Sequence, residues 1–125
     1  MDGMLAWRAM RRLPAAILAL GAMLALPAIA AEEWRPIDVK LEPGKMHESC
    51  MSIDAGDKRR YSWKSDAPMD FNIHFHKGAE IVYVVKNNGM RGDGGTFTAK
   101  DGGGYCWMWT ARDKPAKLEG RVETK

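Results

Sequence analysis

The stretch MDFNIHFH (residues 69–76) decides the fold, because its apolar residues fall on every second position. Phe71, Ile73 and Phe75 alternate with Asp70, Asn72, His74 and His76. A helix gathers apolar residues at intervals of three and four, whereas a strand sends successive side chains to opposite faces. The period of two therefore predicts a strand, with the phenylalanines and isoleucine turned to a core and both histidines turned to a polar face.

The same period runs outward in both directions. WRPIDVKL (34–41), KMHESCMSI (45–53), RRYSWKS (59–65), IVYVVK (81–86), GTFTAK (95–100), YCWMWT (105–110) and KLEGRVE (117–123) each read as a short strand. Between them lie EPG, DAGDK, SDAP, KGAE, NNGMRGDGG, DGGG and ARDKPA, whose Gly, Pro, Asn and Asp favour turns and loops. No stretch after residue 31 keeps helical spacing. About eight short strands in one domain predict an all-β protein, an antiparallel β-sandwich of jelly-roll or similar topology. Tyr105, Trp107 and Trp109 share one face and are expected in the core, with Trp109 reaching solvent at the strand end. Cys106 and Met108 occupy the other face.

The N-terminus has a different character. Arg8, Arg11 and Arg12 precede the apolar run LPAAILALGAMLALPAIA, which closes on Ala28-Ile29-Ala30. A basic start, an apolar middle and an A-x-A end are the parts of a secretory signal peptide, so residues 1–30 are expected to be a leader and 31–125 a single domain. The mature chain is then periplasmic or secreted, without a membrane span. Removing the leader takes away those three arginines and Asp2, which lowers the formal net charge from +3 to +1. No basic stripe is left to hold nucleic acid.

Both cysteines, Cys50 and Cys106, lie in the exported part. Outside the cytoplasm two such thiols are expected to form one disulfide. Closing so long a loop is worth about 4 kcal/mol in the chain-entropy treatment. Against a domain stability of about 5–15 kcal/mol that share is large. The alternative is a thiolate ligand of the kind copper(I) favours.

Residues 74–80 raise the question of metal. His74 and His76 are two apart and project from one strand face, so both imidazoles can reach one ion. Glu80, just past the KGA turn, could return a carboxylate to it, and His47 lies on the cysteine-bearing strand. Met46, Met51, Met69, Met90 and Met108 add thioethers, and imidazole with thioether suits copper first and zinc second. The plainer alternative is a polar face that meets solvent or a protein partner. No G-x-S-x-G, H-E-x-x-H or G-x-x-x-x-G-K pattern occurs, and no catalytic activity is expected.

Four stretches together resemble a known family. ESCMSIDAGDKRRYSW, MDFNIHFHKGAEIVY, GTFTAKDGGGYCWMWTAR and KLEGRVE are similar, in that order, to the motifs of the GOLD domain. This is the luminal β-sandwich of cargo receptors of the early secretory pathway. The likeness spans roughly residues 45–123 and implies a GOLD-like sandwich with a tendency to bind partners. The chain departs from the pattern at Met108, where the family's second cysteine usually falls; Cys106 stands two positions earlier. The receptors' coiled coil and membrane span have no counterpart in these 125 residues, so cargo sorting is not expected to carry over.

HFHKGAEIVYVV also looks like the first metal motif of cupins, matched at His74, His76 and Glu80. The glycine of that motif is replaced by Pro68, and no histidine follows His76 to complete a cupin ligand set. Three readings follow. They are an exported binding protein with a copper or zinc site, a protein-interaction module of GOLD type without metal, and a cupin-like metalloenzyme.

Overall fold

The computed structural model describes residues 21–26 and 33–125. The expected leader lies outside the described residues except for 21–26, an exposed stretch without regular structure. Among the described residues no helix is long and apolar enough to cross a membrane.

Among the described residues six strands form, all pairing antiparallel: β1 (Trp34–Leu41), β2 (Met46–Ile53), β3 (Lys58–Lys77), β4 (Glu80–Thr98), β5 (Gly103–Ala111) and β6 (Ala116–Glu123). Their order is β1-β6-β3-β5-β2, with β4 along the other side of β3. The all-β expectation holds. The count is six and not eight, because β3 joins the segments expected at 59–65 and 69–76, and β4 joins those expected at 81–86 and 95–100.

Strand β3 does not stop where its partner changes. Tyr61 to Ser65 pair with β6, and Met69 to Phe75 pair with β5. Between them, at Ser-Asp-Ala-Pro, the register with β4 shifts. Pro68 has no N–H to give to a ladder, and such an irregularity bends a strand. The bend is sharp. The rings of Trp63 and Phe71, eight residues apart on one strand, have centroids 5.4 Å from each other. A straight strand would separate them by about 26 Å. The two halves of β3 therefore face each other and give a sandwich-like fold.

The glycine-rich NNGMRGDGG is strand, not loop. Its glycines permit close approach to the neighbouring strand. A Cβ at Gly92 would lie 3.0 Å from the Trp63 carbonyl oxygen, and one at Gly94 would lie 3.2 Å from that of Tyr61. Gly89 alone takes a left-handed conformation there (φ 68°), at a bulge where its N–H donates to Asp70 Oδ1 at 2.9 Å.

The core sits between the facing halves and contains Ile37, Trp63, Phe71, Ile73, Trp107, Leu118 and Val122. Trp109 belongs to it as well, fully buried at 0% exposure, against the expectation that it reaches solvent. Strand β5 continues past it to Ala111, and Phe71 and Trp63 pack on its indole at 5.5 and 6.5 Å. Beside this core β6 and β3 run very close at Gly120, where an added Cβ would meet Ser62 O at 2.5 Å and Trp63 Cβ at 2.8 Å. The two ends of the strand order, β1 and β2, are tied by Arg35, whose Nη1 donates to Ser49 Oγ and to the Cys50 carbonyl, each at 2.9 Å.

Candidate functional site

The outward face of β2, β5, β3 and β4 carries one continuous row of chemistry. Residues directly opposite each other in antiparallel strands share a face. Cys50 is opposite Cys106, Cys106 opposite His74, and His74 opposite Tyr83. The cysteines form the expected disulfide. His76 follows two residues after His74, opposite Ile81.

The histidines do converge. Their ring centroids are 5.2 Å apart at an interplanar angle of 77°. His74 is nevertheless not on a wet face: only 3% of it is exposed. The Tyr83 ring at 5.9 Å, the His76 ring and the side chains of Asn72 and Glu48 enclose it. Its Nδ1 is 2.7 Å from Asn72 Oδ1. That oxygen is an acceptor, so Nδ1 carries the proton and Nε2 is left with its lone pair. Nε2 lies 3.6 Å from Glu48 Oε1. Burial holds the His74 pKa below its ordinary value of 6.5; the neighbouring Glu48 carboxylate pulls it up and His76 pushes it further down. His76 itself is exposed.

Two expected ligands are not brought to this pair. Glu80 stands opposite Lys77 across the Gly78-Ala79 turn. Lys77 and His76 are successive on β3, so Glu80 projects from the other face. His47 lies on the inward face of β2, its ring 6.0 Å from that of the buried Trp109. The next residue, Glu48, is the acidic group that reaches His74. The sequence carried a signal for this, since Glu48 and Cys50 are two apart and must share a face, which excludes His47.

The ligand atoms of His74, His76 and Cys106 all lie within 4.8 Å of one another. With the disulfide formed, the Cys106 sulfur is bonded to Cys50 and is not a thiolate, so two imidazoles remain as metal donors. A cupin-like triad of His74, His76 and Glu80 is not assembled. An open depression of about 460 Å³ adjoins the row, lined by Cys50, Met51, Ser52, His76, Gly104 and Cys106.

The second feature of this face is its border. Strand β4 pairs with β3 alone, so along its 19 residues the other edge carries no strand among the described residues. At the start of that edge Ile81 and Tyr83 are each 49% exposed and Val84 42%. Lys86 Nζ lies over the Tyr83 ring, 5.0 Å from its centroid.

No protein-family model matches the chain, and no curated protein matches it. Solved structures match in fold. The periplasmic inhibitor of g-type lysozyme from Aeromonas hydrophila aligns at 12% identity and TM-score 0.54, covering 74% of this chain and 87% of the inhibitor. The pre-peptidase C-terminal domain of a Bacillus anthracis collagenase aligns at 14% identity and TM-score 0.55, covering 70% and 87%. The mitogen of Yersinia pseudotuberculosis aligns at 12% identity and TM-score 0.52, covering 75% and 87%. At these identities the likeness is one of fold.

Proposed function

We propose that this is an exported protein-binding domain, a GOLD-like sandwich that captures a partner polypeptide along the free edge of β4. The observation that carries the reading is the segment Ile-Val-Tyr-Val-Val at 81–85, which combines exposed apolar side chains with an unpaired strand edge. An unpaired edge offers a row of N–H and C=O groups to which an extended peptide can add as a further strand, while alternate side chains supply specificity. Exposed apolar residues on a strand edge invite self-association unless a partner covers them. Lys77, Glu80 and Lys86 place charges around this segment and restrain that outcome.

Export is supported by the disulfide and by the leader-like residues 1–30. The GOLD-like reading is supported by the bridge between the early cysteine strand and the penultimate strand. A fold shared with a periplasmic lysozyme inhibitor fits a protein whose work is to bind another. The periplasm or the secreted fraction is the place to look.

A photo-crosslinking amino acid at Val84, compared with one at the exposed Lys40 of β1, tests the edge. In the exported fraction position 84 should yield a discrete adduct that Lys40 does not. Introducing Ile81→Lys should remove that adduct without lowering the melting temperature. An adduct of twice the protein's own mass would identify the partner as a second copy. Equal labelling at both positions would refute the edge reading.

A further inference from the structure

We infer that reduction of the Cys50–Cys106 disulfide creates a metal site of two thiolates and two imidazoles, Cys50, Cys106, His74 and His76. The inference stands independently of the β4 edge. Its basis is that the donor atoms of His74, His76 and Cys106 already lie within 4.8 Å of one another. The Cys50 sulfur is covalently attached to that group, on the directly opposite residue of β2. The four donors lie on three adjacent strands of one sheet.

The imidazoles are prepared for the task. A metal-bound histidine characteristically donates its second ring N–H to a carbonyl or carboxylate, which fixes the tautomer and the ring plane. His74 makes that bond to Asn72 at 2.7 Å. A donor set of two sulfurs and two nitrogens in tetrahedral reach selects Zn²⁺ or Cu⁺ over hard cations. The disulfide acts as the gate, since it occupies both sulfurs while it lasts.

Access is open as well. Cys50 is exposed, Cys106 is 4% exposed, and both line the 460 Å³ depression beside His76. The reductant is a dithiol. One of its thiolates attacks Cys50 Sγ, the S–S bond breaks, and Cys106 leaves as a thiolate beside the histidines. The second thiol of the reductant then displaces Cys50. The reductant has become a disulfide, and two electrons and two protons have passed to the protein. Binding of the ion releases those two protons to solvent.

The test uses the protein reduced with a phosphine, which adds no competing thiol, and Co²⁺ and Zn²⁺ as probes. Reduced protein should bind one equivalent of Co²⁺ with a thiolate-to-cobalt charge-transfer band, and Zn²⁺ should displace it. Oxidised protein should show no band. Asn72→Ala should weaken binding to the reduced protein by about 10- to 100-fold. His76→Ala should weaken Co²⁺ binding and change its visible d–d bands, while the oxidised variant melts with its parent, since that ring is exposed. Near-ultraviolet circular dichroism from the buried Trp107 and Trp109 reports whether the reduced chain stays folded. If reduction unfolds it, Zn²⁺ must restore that signal in the parent, and His76→Ala must need more Zn²⁺ for the same recovery. A reduced protein without the band, an affinity and visible spectrum unchanged in His76→Ala, or equal binding by the oxidised form would each overturn the inference.

Discussion

Replacing Gly120 by alanine puts a methyl carbon 2.5 Å from the Ser62 carbonyl oxygen and 2.8 Å from Trp63 Cβ. Carbon atoms in contact settle at about 3.5–4.0 Å, so β3 must withdraw from β6 by roughly 0.7–1 Å. The obstructing atoms are backbone and a Cβ, and no flexible side-chain end can swing aside. Overpacking of this kind costs about 1–3 kcal/mol. Gly120 has no left-handed φ, so alanine also gains roughly 0.4–1 kcal/mol by restricting the unfolded chain. The central values leave a net loss of about 1.3 kcal/mol, and at roughly 4–8 °C per kcal/mol for a domain of this size that lowers the melting temperature by about 5–10 °C. Gly104→Ala is the control, because nothing lies within 4 Å of its added Cβ and its φ is ordinary. Thermal unfolding of the two oxidised variants, followed by tryptophan fluorescence, should separate them clearly. Equal melting temperatures would refute the close approach of β3 and β6.

Two further outcomes are expected. Replacing Cys50 and Cys106 together by serine opens a link between residues 56 apart and should cost about 4 kcal/mol in urea unfolding; parent and variant should unfold at the same urea concentration once the parent is reduced. The buried His74 should make stability depend on pH: with its folded pKa lowered from 6.5, the unfolded chain binds more protons, so stability is fully present above 6.5 and declines as pH falls below it. Glu48, Asn72, His76 and Tyr83 surround that ring, and His74→Gln should flatten the decline in melting temperature between about pH 7 and pH 5. An unchanged slope would remove burial as its cause.

Much of the fold was legible in alternation. Trp34–Leu41 appears as a strand with the expected bounds, and the inward face of Phe71, Ile73, Tyr105 and Trp107 follows from period two. Alternation does not report whether a strand ends or bends. Ser-Asp-Ala-Pro has the composition of a turn, yet it only kinks β3, because β6 on one side and β5 on the other supply partners before and after it. The glycines of β4 misled for a related reason: a missing Cβ serves a close approach as well as it serves a turn. For the site, the shared face of His74 and His76 could be read locally. Their neighbours Cys106 and Glu48 depend on the register between β3, β5 and β2, which is long-range. Glu80 lies on the other face because a two-residue turn returns the chain with its faces kept, so opposite Lys77 it points away from His76.

Because β3 crosses from one layer to the other without interruption, neither layer can be assembled or dissolved by itself. The rings of Phe71 and Trp63 meet across the kink, so displacing either half strips the other of its packing partner. Amide protons on the two sides of Pro68 should therefore exchange with solvent through one common opening event. The row of sulfur and imidazole groups borrows its alignment from that single cooperative backbone.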